Sequence, residues 1–277
     1  MTCIAHISDT HFGAEDDTVC AALGRALLHE MPDLVVLTGD VTQRARRAQF
    51  RAARAFLDGL APLAVLALPG NHDLPLFDLF TRFTGPYRRY RQYICATLAP
   101  VWQGAALAVI GVNSTRVLRH KNGELRADLV QRVARDIAGL PQAFKVVALH
   151  HPLAVIEASD EGNRARGADA ALAEWIGAGA DLILGGHIHL PYCILAGPAA
   201  HQAVVLQAGT AVSVRRRGGQ ANSFNLVRFD ARGRRRMIVE QRDYDAHADA
   251  FACASVREAV SGASGWILDP GPAVHVV

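Results

Sequence analysis

Five times within residues 1–190 the chain runs through a short apolar, β-branched stretch and straight into a polar segment rich in histidine and aspartate. The segments are Asp9-Thr10-His11, Gly39-Asp40, Gly70-Asn71-His72-Asp73, His150-His151 and Gly186-His187-Ile188-His189. Continuous runs such as Leu34-Val35-Val36-Leu37 are how strands buried on both faces read. Strands at 2–8, 33–38, 63–68, 105–112, 145–149 and 180–184, alternating with helices at 16–30, 43–58, 124–139 and 167–177, predict an α/β fold. In such folds the carboxyl ends of the strands gather the site residues, so the five segments are expected to meet. With Asp73 left aside, they supply two carboxylates, one carboxamide and up to six imidazoles, the ligand inventory of a two-metal hydrolytic centre.

Each segment also has a plainer reading. Asp9 and His11 stand one residue apart, and in an extended segment alternate side chains point the same way, so both can reach one ion; alone, they would equally suit a turn cap and a surface histidine. His187 and His189 repeat that spacing behind Gly185-Gly186. Asp40 has two oxygens and can bridge two cations, with Gly39 allowing a tight turn, although an aspartate opening a loop is common. Asn71 offers a neutral carbonyl oxygen, and His72 beside it projects differently. His150 and His151 are adjacent, so one of them is expected to ligate while the other packs behind it or lies near a leaving group.

In order and spacing these segments resemble the calcineurin-like metallophosphoesterases, whose pattern runs D-x-H, G-D, G-N-H-D, a strand-terminal His and G-H-x-H. The resemblance covers roughly residues 1–230. Ile7-Ser8-Asp9-Thr10-His11, Gly70-Asn71-His72-Asp73 and Gly186-His187-Ile188-His189 look most like the bacterial class III cyclic-nucleotide phosphodiesterases. It implies a four-layer α/β/β/α sandwich of two mixed sheets flanked by helices, the metallo-dependent phosphatase fold. It implies Asp9, His11, Asp40 and His189 around one divalent ion and Asp40, Asn71, His150 and His187 around the other. It further implies His72 as the catalytic residue, facing the substrate. The donor set suits Mn, Fe, Zn or Co better than Ca or Mg. The implied reaction is in-line attack on phosphorus by a metal-bridging hydroxide. The expected partner is a small-molecule phosphoester, a phosphodiester such as cyclic AMP being favoured. The alternatives are a phosphomonoesterase, a lipid or nucleotide pyrophosphatase of the same family, and a non-catalytic scaffold.

The 277 residues suit one large domain, 1–245, followed by a tail, 246–277, of unassigned role. A formal net charge of +3 is too mild to point to nucleic acid. Five scattered cysteines are expected to be reduced and mostly buried. No signal peptide is visible and no run approaches the length needed to span a bilayer. A cytoplasmic protein without a membrane partner is therefore expected, and a homodimer is an open option. After residue 190 the runs near 192–196, 203–208, 224–230 and 236–240 suggest a second, more antiparallel sheet. Residues 74–100 suggest a helical insertion near the site mouth, with no evident apolar lid. Substrate-binding residues are unassigned: Arg215-Arg216-Arg217 could bind phosphate or form a solvated loop, Asn113, Arg116 and His120 could wall the pocket, and Arg232 to Arg236 read as an exposed turn.

Overall fold

The computed structural model describes residues 1–119, 121–233 and 235–269. Its strands are β1 (Thr2–Ile7), β2 (Leu34–Leu37), β3 (Val65–Ala67), β4 (Val101–Gln103), β5 (Leu107–Val112), β6 (Phe144–Leu149), β7 (Leu182–Gly185), β8 (Tyr192–Ala196), β9 (Ala203–Gln207), β10 (Ser223–Asp230), β11 (Arg236–Asp245), β12 (Ala250–Gly262) and β13 (Gly265–Leu268). The helices are α1 (Asp17–Glu30), α2 (Arg47–Asp58), α3 (Leu79–Thr84), α4 (Arg88–Tyr93), α5 (Ala127–Gly139) and α6 (Ala168–Gly177). The strands form two mixed sheets, ordered β13-β12-β11-β10-β1-β2-β3 and β4-β5-β6-β7-β9-β8. Strands β1, β2 and β3 run parallel in the first, as do β5, β6, β7 and β9 in the second.

Alternation along the strands builds the layers. Ile4, Leu34, Val36, Val109, Val146, Leu184 and Val204 fill the space between the sheets. Their neighbours Ala5, Ile7, Val35 and Leu37 face outward against Leu23 and Leu27 of α1 and Phe50 and Leu57 of α2. On the other side Val147, Leu149 and Ile183 carry α5 and α6 through Val133, Ile137, Leu172 and Trp175. The result is the four-layer sandwich. Helix α1 begins where Asp16 accepts from the Thr18 and Val19 amides, and it ends at Met31 in the left-handed region. Helix α2 starts four residues later than the pattern predicts, because Gln49 Oε1 captures the Arg44 and Arg46 amides in a turn.

The runs after residue 190 do not make one new sheet. Strands β8 and β9 widen the sheet of β4–β7, whereas β10 and β11 extend the first sheet from β1, with Ile4 opposite Val227. Apolar alternation marks a strand but not the edge it joins. Within 246–277, residues 250–268 form β12 and β13 at the outer edge of the first sheet. Trp266 there stacks on Phe144 and donates to Asp181 Oδ1 at 3.1 Å. Arg235, expected to be exposed, is half-buried over both rings and pairs with Asp181; Arg234 lies outside the described residues. Four cysteines are half-buried rather than buried, Cys253 is exposed, and all five are free thiols. No helix among the described residues is long and apolar enough to cross a membrane.

Candidate metal centre

Asp9 lies just beyond β1, Asp40 beyond β2, Asn71 beyond β3, His150 beyond β6, and His187 and His189 beyond β7. The carboxyl ends of the parallel strands of both sheets meet at one edge, so distant parts of the chain converge there. The pleat of an extended strand is not what aligns the spaced pairs. Asp9, His11, Asp40, His187 and His189 all have positive φ, at 52°, 44°, 48°, 77° and 58°. Each such non-glycine residue costs about 1 kcal/mol or more, and the surrounding backbone holds it there. Asp9 N donates to Gly39 O at 3.1 Å, His11 N to Asp40 O at 2.9 Å, and Gly186 N to His150 O at 2.9 Å. Gly39, with φ of 101°, also sits where an added Cβ would come within 2.7 Å of His150 Nδ1.

Asp40 stands in the middle. Its Oδ2 is 3.7 Å from His11 Nε2 and its Oδ1 is 3.4 Å from His150 Nε2. On the first side Asp9 Oδ1 lies 3.7 Å from His11 Nε2 and 3.4 Å from His189 Nε2. On the second side Asn71 Oδ1 lies 3.2 Å from His150 Nε2, with the His187 ring 5.1 Å from the His150 ring. Outer partners decide which nitrogen faces inward. His150 Nδ1 donates to Thr38 O at 2.8 Å, and His189 Nδ1 meets Thr210 Oγ1 at 2.6 Å. His151 differs: its Nε2 donates to Lys121 O and its Nδ1 accepts from Ser114 Oγ, so both nitrogens are engaged outside the cluster.

Burial alone would raise the Asp40 carboxyl, but the imidazoles of His150, His72 and His11 outweigh it and hold it well below the usual range. Burial likewise opposes charge on His150, yet Asp40 wins and raises its pKa to about 9. Burial keeps His11 and His187 well below the ordinary histidine value. Asp9 Oδ1 and both ring nitrogens of His187 are buried with no hydrogen-bond partner among the described residues. Orphaned buried atoms of this kind are costly, about 1–3 kcal/mol each. They adjoin the other oxygen and imidazole donors, so the residues present fit divalent cations.

His72 is half-buried at the mouth, its amide donating to Asp40 Oδ1 at 2.8 Å and its Nδ1 to Gln43 O at 2.9 Å. The exposed Arg215 reaches over it, with Nη1 3.1 Å from Gln43 Oε1 and 3.4 Å from His72 Nε2. Arg217 turns away to Asp160 and Glu157. Asp73 is buried. Its carboxylate accepts from the Val41, Thr42 and Gly70 amides and the Thr42 hydroxyl, tying the loops after β2 and β3 together. Burial, with Asp40 nearby, raises it to about 6. Asn113 bonds Thr115 and Arg116 pairs with Glu124, both locally, and His120 lies outside the described residues. Thr38, Gln43 and Thr210 had no signal in the sequence, because each is a lone polar residue whose part depends on where a backbone, hydroxyl or carboxamide oxygen is placed.

The architecture is that of the dimetal phosphatases. A dimetal phosphatase from Danio rerio superposes with a TM-score of 0.66 at 13% identity, over 91% of this chain and 98% of that one. Residues 3–191 match the calcineurin-like phosphoesterase family, and the chain belongs to it. That family uses a dinuclear divalent-metal centre. The chain is 36% identical over 170 residues to the glycerophosphodiester phosphodiesterase GpdQ of Enterobacter lignolyticus, covering 54% of this chain and 56% of that one. It is 27% identical over 214 residues to a cAMP/cGMP dual specificity phosphodiesterase of Mycobacterium tuberculosis, covering 67% and 61% respectively. It thus spans little more than half the length of these curated relatives.

Proposed function

We propose that this chain hydrolyses phosphodiesters of small, nucleotide-like molecules, cyclic AMP being the first to test, at a dinuclear divalent-metal centre. The observation that carries the reading is Asp40, whose two oxygens face separate imidazoles at 3.7 and 3.4 Å. Asp9, His11, Asp40 and His189 would hold one ion, and Asp40, Asn71, His150 and His187 the other. His150 rather than His151 is favoured because both His151 nitrogens are engaged elsewhere. Mn, Fe, Zn and Co all suit these donors. Two such cations supply Lewis acidity toward phosphoryl oxygens and lower the pKa of water.

The chain's own residues do the rest. Asp9 and Asp40 offset only half of the charge that two divalent ions bring, so the pocket remains attractive to an anionic phosphoester. Arg215 adds one more positive charge at the mouth, beside His72. Gln43 O holds Nδ1–H of His72, which leaves Nε2 to face the substrate. In its imidazolium form, which carries a second proton on Nε2, His72 would hydrogen-bond the phosphoryl group or protonate the leaving oxygen. The extra charge of Arg215 also favours a second reading, a phosphomonoesterase acting on dianions. The test is hydrolysis of bis-p-nitrophenyl phosphate against p-nitrophenyl phosphate by protein stripped of metal and refilled with Mn2+. Preference for the diester is expected, and preference for the monoester would select the second reading. No turnover of either with Mn, Fe, Zn or Co would overturn the enzymatic assignment.

A further inference from the structure

Four large apolar side chains stand exposed within seven residues: Phe77 at 78%, Leu79 at 61%, Phe80 at 79% and Phe83 at 63%. They occupy α3 and the turn before it, in the segment where the sequence pattern showed no apolar lid. Single exposed apolar residues are ordinary, whereas clustered ones mark an interaction surface. The segment is anchored from beneath. Arg89 pairs with Asp78 at 2.9 Å and donates to Ala45 O at 2.9 Å, and the buried Arg82 donates to Pro75 O at 2.9 Å. The cluster also adjoins the site mouth. Arg44 lies 5.6 Å over the Phe77 ring and directly follows Gln43, which contacts both His72 and Arg215.

Charge is distributed unevenly along the chain, and Arg44 and Arg89 of its basic stretch contact this segment. Residues 43–93 hold nine arginines against three aspartates, while the rest of the chain holds 20 basic residues against 23 acidic ones. Arg44, Arg46, Arg47 and Arg88 are exposed. We propose that this face docks on an anionic lipid surface, its phenylalanines and leucine entering the headgroup–acyl boundary and its arginines meeting lipid phosphates. A second copy fits less well, because a two-fold contact sets the same patch against itself and would oppose arginine to arginine. The absence of a spanning run concerns insertion through a bilayer, and docking requires none. The inference rests on exposure and charge alone and stands apart from the reaction assigned to the metal centre.

The experiment is co-sedimentation of the full chain with vesicles of phosphatidylcholine and of a phosphatidylcholine–phosphatidylglycerol mixture. Binding to the mixed vesicles, weakened by salt, is expected, with little binding to phosphatidylcholine alone. Phe80→Ser with Phe83→Ser should lower the partition coefficient about 100-fold while leaving turnover of a soluble diester and the melting temperature unchanged. Arg44→Gln with Arg88→Gln should weaken binding to the mixed vesicles about 30-fold. No wild-type binding, or equal binding to both vesicle types, would overturn the proposal. So would sedimentation showing a dimer that Phe80→Ser dissociates, which would assign the face to a second copy.

Discussion

Replacing Gly70 by alanine should disable the metal centre without replacing a ligand. Gly70 has φ of −102° and ψ of −179°, a conformation open to any residue, so backbone strain plays no part. The obstacle is space. An added Cβ would stand 2.2 Å from both the amide nitrogen and Oδ1 of Asp40, well inside the 3.0 Å that real Cβ atoms keep. One of those contacts is backbone, so no rotamer change relieves it, and the loops after β2 and β3 must separate by about 1 Å. Metal–ligand distances tolerate only about 0.2 Å, so the displacement exceeds the tolerance about fivefold. Overpacking should cost the fold about 1–3 kcal/mol, and a misplacement of about 1 Å should lower turnover on the order of 100-fold. Gly139→Ala is the control: its added Cβ meets nothing within 4 Å, and a helical alanine should stabilise by up to about 1 kcal/mol. The assay is metal per chain by mass spectrometry after loading with Mn2+, with diester turnover and a thermal melt on the same samples. If Gly70→Ala held two ions and matched Gly139→Ala in turnover, Asp40 would not be the bridge.

Asp40→Asn should strongly reduce metal content and activity, and unchanged binding of two ions would remove it from the ligand set. His72→Ala keeps the amide that donates to Asp40, so it should retain both ions and lose about 10²–10⁴ of turnover; loss of an ion instead would make His72 a ligand. His6, buried against Thr38, has its pKa lowered by burial to about 3. The unfolded chain, titrating near 6.5, therefore binds one more proton between those values, and stability is lost as pH falls through that window. From pH 7 to pH 5 the loss from this residue is about 2 kcal/mol, so the unfolding free energy of His6→Gln from urea titration should fall by that much less than the wild type's, and an equal fall in both proteins would refute it. Trp266→Ala should cost about 3–5 kcal/mol by chemical denaturation, since the ring is 5% exposed and packed on Phe144; an unchanged midpoint would mean that β13 adds nothing to the inter-sheet core.

The order of the longer strands and helices through residue 185, though not the short strand β4 at Val101–Gln103, and the five polar segments at strand ends are legible in the sequence, because hydrophobic period and motif spacing are local properties. Leu34-Val35-Val36-Leu37 declares a strand with both faces buried wherever it is placed. Sheet membership is not local: β8 and β10 carry similar patterns, and only their pairing partners, Gln207-side β9 and the far-removed β1, separate them. The same holds for the centre. That Asp9, His11, Asp40, His187 and His189 sit in the left-handed region depends on loops stitched across both sheets. The inward face of His150 depends on Thr38 O, 112 positions away, and the diversion of His151 depends on Ser114 and Lys121. The exposure of Phe77, Leu79, Phe80 and Phe83 was equally unreadable, because an apolar residue carries no mark of whether anything will cover it. Sequence determines which elements form and which chemistry they bring; burial and hydrogen-bond partnership join residues far apart in the chain, so only the tertiary structure decides them.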